Sequence, residues 1–135
     1  MSISKGVIFF VLLFALDRLT KLIVLFTSSP TLTFNAKTFF LLGDSTASYG
    51  MLAVLVAVLG AWFIHEVRTR SSILITSAAA FIVAGALSNF LDRVRYGAII
   101  DWIAIPGLTV FNFADLYIVV GCLCIFVSFF WRKKV

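Results

Sequence analysis

Charge is scarce in this sequence. Eleven lysines and arginines and six aspartates and glutamates make up 13% of 135 residues, against 62% hydrophobic residues. With a mean hydropathy of +1.13, the chain carries more apolar surface than a water-soluble domain of this length can bury. A soluble globule is excluded, and a membrane-embedded chain is predicted. Histidine occurs once, as His65, in the turn after the second apolar run and on the side opposite the clustered carboxylates, so no Ser–His or Cys–His nucleophile is expected. A metal site would also lack its usual nitrogen ligands, so neither metal nor cofactor is expected. Cysteine occurs twice, at Cys122 and Cys124 inside the last apolar run. Two positions apart on a helix they point to different sides, which reads as small apolar filler rather than a disulfide. No repeat, low-complexity tract or linker divides the chain, so residues 1–135 are read as a single membrane domain.

The net charge of +5 does not point to nucleic acid, because the basic residues flank apolar runs, the placement that sets membrane topology. Four runs approach the roughly 20 apolar residues that a span requires: about 6–26, 48–64, 72–91 and 112–131. The first imitates a secretory signal, with Lys5 ahead of Gly6–Leu16. However, Asp17, Arg18 and Lys21 interrupt it and no small-residue cleavage site follows, so it is read as a retained helix. The fold class predicted is an all-α integral membrane protein, a four-helix transmembrane bundle. Arg68 and Arg70, the terminal Arg132-Lys133-Lys134 and Lys5 fall on one side of such a bundle. The positive-inside rule makes that side cytoplasmic and puts both termini there. Trp62 and Trp131 then sit as belt residues at the inner interface.

The two outward connections are too apolar to float in water. Thr31-Leu32-Thr33-Phe34 alternates like a strand, and Phe39-Phe40-Leu41-Leu42 follows. Ala98-Ile99-Ile100 and Leu108-Thr109-Val110-Phe111 flank Pro106-Gly107, a turn signal. Small β-like elements resting on the bilayer are expected there. In the third span Ala80, Ala84 and Ser88 recur every four residues, spacing that lets helices approach closely.

A charge inside a bilayer costs several kcal/mol unless paired or hydrated, so the polar residues of the apolar runs carry the functional reading. Asp17 and Lys21 lie four apart on one helical face and can pair. Either a structural ion pair or a contact in an active site explains them. Gly85, Asn89 and Arg93 repeat at four, with Asp92 three after Asn89, giving the third helix a polar face towards its outer end. A helix-end charge cluster accounts for Asp92 and Arg93; Asn89 lies deeper. Asp101, within Ile99-Ile100-Asp101-Trp102-Ile103, has no partner nearby in sequence. Asn112 and Asp115 share a face where the last span begins, as a helix cap also would. All of these fall in the outer half of the chain's layout. Polar convergence at one end of a small bundle has the character of a site.

These motifs resemble the lipoprotein signal peptidase (signal peptidase II) family. They are Asp17-x-x-Thr20-Lys21, Asn89-x-x-Asp92-Arg93, Asp101 in Ile-Ile-Asp-Trp-Ile, and Asn112-x-Ala114-Asp115. Order, spacing and membrane placement agree over nearly the whole chain. The resemblance implies an aspartic endopeptidase of the bacterial inner membrane, with Asp101 and Asp115 as its catalytic dyad near the outer face. It implies that Asn35, Asn89, Arg93 and Asn112 line or support the site beside Asp17 and Lys21. Its substrates would be lipid-modified prolipoproteins, cut before the lipid-bearing cysteine, with membrane lipid as the other partner. The chain departs from the family at Lys37, Ser88 and Leu116, where Gly, Gly and Ser are usual. Two other classes remain open on the residues alone: an inactive or retargeted paralogue, and a small proton-coupled carrier.

Overall fold

The computed structural model describes residues 3–36, 46–69, 72–107 and 109–132. The stretch from Lys37 to Leu42, Arg70, Leu108, Lys133 and Lys134 lie outside them, as does the side chain of Trp131. The chain is mostly helical. Four helices, α1 (Ile3–Thr27), α2 (Thr46–Arg68), α3 (Ile73–Tyr96) and α4 (Phe113–Arg132), alternate with short strands. These are β1 (Thr33–Asn35), β2 (Ile99–Asp101), β3 (Ile103–Ile105) and β4 (Thr109–Phe111). Among the described residues three helical stretches are long and apolar enough to cross a membrane: Ser48–Arg68, Ile73–Tyr96 and Phe113–Phe130. Helix α1 has the length but carries Asp17, Arg18 and Lys21 within its apolar run.

α3 is the central helix and packs on each of the other three. Its small residues make this possible: Ala78, Ala79, Ala80, Ala84 and Ser88 are all fully buried. Against α4 the backbones nearly touch. A Cβ on Gly85 would collide with the carbonyl oxygen of Ala114 and reach Ile118 Cγ1 at 2.8 Å, and one on Gly121 would meet Ala78 O at 2.8 Å. Glycine is required at both positions because no side chain fits between the helices. Near the α2–α3 turn, Phe63, Val67, Ala79, Ala80 and Val83 form an apolar cluster joined by Phe9 and Phe10. Elsewhere the outward faces of α1, α2 and α4 are lined with exposed Val, Leu, Ile and Phe, as suits helices solvated by lipid.

Helix α3 begins at Ser72, whose hydroxyl accepts from the Ile75 N–H, and ends at Gly97 with φ +68°. Arg93 and Arg95 lie in its last turn, with Asp92 just before them and fully buried. The strands all occur at the opposite end of the bundle from the α2–α3 turn. β1 pairs antiparallel with β2, setting Thr33 opposite Asp101 and Asn35 opposite Ile99. β3 pairs antiparallel with β4 around Pro106-Gly107, and the Trp102 N–H donates to Phe111 O at 3.1 Å. This small β platform holds Asp101 over the start of α4.

Candidate active site

Asp101 ends β2 and is 2% exposed. Each of its carboxylate oxygens accepts a side-chain amide. Asn35, from β1, donates to Oδ2 at 3.0 Å, and Asn112 donates to Oδ1 at 2.7 Å. The pairing of β1 with β2 explains why Asn35 can reach so far along the chain. Asp115 lies in the first turn of α4, half-buried, and its Oδ1 accepts from Asn89 Nδ2 at 2.8 Å.

Asn112 joins the two acids. It precedes α4, where its Oδ1 accepts the Asp115 N–H at 3.0 Å while its own N–H donates to Asp115 Oδ2 at 3.3 Å. That reciprocal pair is a capping box, which supplies partners for backbone N–H groups at a helix start. The cap reading of Asn112 and Asp115 and the site reading are therefore compatible. The Asn112 amide also reaches Asn89 Oδ1 and Ile100 O, both at 3.2 Å.

Beneath the two acids lies a second polar group, buried except for the partly exposed Arg18. Asp17, Lys21, Ser88 and Asp92 are each 0% exposed. The Lys21 ammonium donates to Asp92 Oδ2 at 2.7 Å, Asp17 Oδ2 at 3.0 Å and Asn89 Oδ1 at 3.0 Å. Arg18 pairs with Asp92 Oδ1 at 2.5 Å, and Ser88 Oγ donates to Asp17 Oδ2 at the same short distance. Asp17 Oδ1 accepts the Ala114 N–H at 2.9 Å, so a carboxylate of α1 also caps α4. Ile100 N–H donates to Asp92 Oδ2 at 3.4 Å. Two acids and two bases balance here, the condition for tolerating buried charge.

Burial pushes the Asp101 carboxyl above its ordinary range, and the neighbouring Asp115 charge adds to this. The Asn35 and Asn112 hydrogen bonds and the Lys21 charge act the other way. A cavity of about 330 Å³ opens beside Asn89, Arg93 and Asp115 and runs between α2, α3 and α4. Its walls are apolar: Leu52, Leu55, Val56 and Leu59 from α2, with Ile82 and Ile118 opposite. Among the described residues no group of three His, Cys, Asp or Glu side chains could hold a metal ion.

A family model described as signal peptidase (SPase) II matches residues 9–131. The chain belongs to the signal peptidase II family. Membership makes it a protease, and with its apolar helices a multi-pass membrane protein. It is similar to the lipoprotein signal peptidase of Clostridioides difficile strain 630, 34% identical over 95% of this chain and 97% of the relative. The lipoprotein signal peptidase of Streptococcus pneumoniae is 27% identical over 76% of this chain and 68% of the relative. That of Halothermothrix orenii is 30% identical, and the match spans 64% of this chain and 59% of the relative. A solved bacterial membrane enzyme, obtained by the in meso method at 2.3 Å, shares the fold with a TM-score of 0.79. It is 19% identical over 96% of this chain and 90% of its own.

Within this chain, Asn35, Asn89, Asn112, Asp101 and Asp115 form one hydrogen-bonded group. Arg93 lines the adjoining cavity. Asp17 and Lys21 hydrogen-bond to neither Asp101 nor Asp115, and Lys21 joins the group through Asn89. Sequence reasoning left Arg18, Ser88 and Asp92 out of the site. Asp92, beside the last turn of α3 as the helix-end reading expects, is buried between Arg18 and Lys21. Its spacing of three from Asn89 was the available signal, since one helical face holds both.

Proposed function

We propose that Asp101 and Asp115 are the catalytic dyad of an intramembrane aspartic endopeptidase that removes the signal peptides of lipid-modified prolipoproteins. The observation that carries this reading is that Asn112 hydrogen-bonds both Asp101 and Asp115 in a chain whose family cleaves peptides. Two carboxylates held together share a proton. Burial favours Asp101 as its holder, and Asp115, half-buried beside the cavity, is the base. Asp115 takes a proton from water as the water oxygen bonds to the scissile carbonyl carbon, while Asp101 gives its proton to the carbonyl oxygen. Collapse of that intermediate returns a proton to Asp101, breaks the C–N bond, and Asp115 passes its proton to the leaving amine. No metal or cofactor enters these steps.

In this reading all four helices span the bacterial inner membrane with both termini cytoplasmic, and the dyad sits near the outer face. Arg68 closes α2 on the cytoplasmic side, and the strands lie at the outer surface. The cavity between α2, α3 and α4 receives the apolar part of the substrate, with Arg93 at its polar end.

Asp101→Asn and Asp115→Asn test the dyad, because Asn keeps the shape of Asp but neither accepts the proton nor shares one. Each should lower turnover of a lipidated precursor by at least ~10³-fold while the protein stays folded and membrane-inserted. The double variant should be scarcely worse, as residues acting as one unit are non-additive. Near-normal turnover by either single variant removes that residue from the chemistry. A chelator in the same assay should change nothing, and loss of activity restored by added metal would overturn the mechanism.

A further inference from the structure

We propose that Lys21 is a positioning residue for the dyad: by fixing the side-chain amide of Asn89, it dictates that Asp115 is met by a hydrogen-bond donor. This rests on the dyad reading above.

An ammonium has three protons and no acceptor. All three Lys21 protons are engaged, by Asp17, Asp92 and Asn89 Oδ1. With the side chain 0% exposed, no water can substitute for any of them. The Asn89 amide therefore has one permitted orientation. Its oxygen must face Lys21, which leaves its nitrogen facing Asp115 Oδ1 at 2.8 Å. Rotating that amide by half a turn would set two donors against each other at Lys21. It would also set two acceptors against each other at Asp115. Asn112 enforces the same direction more weakly, donating to Asn89 Oδ1 at 3.2 Å from its own amide.

Lys21 is thus the donor-only end of a chain running Lys21, Asn89, Asp115. The ion pairs with Asp17 and Asp92 hold the ammonium in place. Asn89, two-faced by chemistry, becomes one-faced by context. Asp115 receives an N–H at the oxygen that Asn89 addresses, and its base function falls to the rest of the carboxylate. A purely structural Lys21 would stabilise the bundle without setting the rate.

The experiment combines Lys21→Met, which removes the charge at similar length, with Asn89→Leu, which removes the amide. To keep the charge balance if Lys21→Met does not fold, Lys21→Met is also made with Asp17→Asn. Kinetics are measured with a lipidated precursor peptide on protein whose thermal unfolding confirms a native fold. The Lys21 variant should lose at least about tenfold in kcat with KM changed less than about threefold. In the Asn89→Leu background the Lys21 replacement should cost no further kcat, because its effect passes through that amide. Asn89→Asp, which still accepts from Lys21 but cannot donate to Asp115 as a carboxylate, should also lose at least about tenfold in kcat. Folded Lys21 variants with unchanged kcat would overturn the proposal, as would kcat losses that add fully in the double variant. Asp115→Asn serves as the control. If it retains turnover, the dyad reading fails; if it is inactive and the Lys21 variants are unaffected, only this inference fails.

Discussion

Two groups of aspartates lie within the same end of this bundle, and their surroundings are opposite. Asp17 and Asp92 are fully buried and face cations, Lys21 and Arg18. Asp101 and Asp115 face neutral amides, from Asn35, Asn89 and Asn112. A carboxylate paired with a buried cation serves as an anchor, because removing either partner strands the other in low dielectric. The amides orient Asp101 and Asp115 just as well, with the Lys21 charge also acting on Asp101 and the Arg93 charge on both acids, and burial favours the protonated form of Asp101. The same residue type therefore does structural work in one group, and in the proposed dyad does chemistry in the other. Asn89 is the contact between them, with its oxygen in the anchor and its nitrogen on the dyad.

The contrast breaks most clearly by truncation. Asp92→Ala leaves Lys21 and Arg18 facing each other without their shared partner, and should cost about 3–5 kcal/mol. Asp17→Ala should behave likewise and also uncap α4. Asp115→Asn should cost less, about 1 kcal/mol, since the amide oxygen can still accept from Asn89 and only the longer bond from the Asn112 N–H is lost. Thermal unfolding in detergent measures all three. A stable but inactive Asp17→Ala would move Asp17 out of the anchor and into the site.

A smaller effect is expected at the close helix contact. Gly85→Ala drives a methyl into the Ala114 carbonyl, one turn from Asn89, and should cost about 1–3 kcal/mol. Because that methyl pushes α3 from α4, the Asn89–Asp115 bond should open and kcat should fall in the folded fraction. Gly121→Ala strains the same interface away from the acids and should destabilise while leaving kcat per folded molecule unchanged. Equal kcat losses in the two variants would contradict a local effect on the site.

The smallest effect is a pH dependence. The folded protein holds the Asp101 proton more tightly than the unfolded chain does, through burial above all. The stability this group contributes is therefore greatest below its unfolded pKa, and declines as pH rises through the raised folded value. Asp101→Asn should remove that decline from a stability-against-pH curve. In the wild type, turnover that needs the Asp101 proton should fall across the same window. A curve for Asp101→Asn that declines just as the wild type does would exclude Asp101 as its source.

Much of this arrangement was legible in the sequence because apolar runs make any polar residue conspicuous. Asp17, Lys21, Asn89, Asp101, Asn112 and Asp115 stood out for that reason, and helical spacing joined Asn112 to Asp115. What spacing could not provide was contact across elements. Asn35 reaches Asp101 through a strand register that three-residue strands do not announce. Asp92 and Arg93 read as a charge cluster at a helix end, and the end of α3 is indeed there, but Asp92 turns inward to Arg18, a contact with another helix that spacing does not show. Ser88, where the family usually has glycine, proved to be a donor to Asp17. The close approach at Gly85 was hidden because a glycine in a helix shows nothing of its neighbour.

The buried ion pairs of α1 also bear on how such a protein is made. Asp17 and Lys21 neutralise each other within α1, but Arg18 finds Asp92 only on α3, 74 residues later. While the chain is emerging, α1 is therefore a poor guest for hydrocarbon, and its polar stripe has to stay near water, protein or the insertion machinery. If α1 spans as proposed, arrival of α3 completes the charge balance that lets α1 sit in the bilayer. On the four-span reading, the place of α1 in the membrane depends on α3, whatever the order in which the two are made.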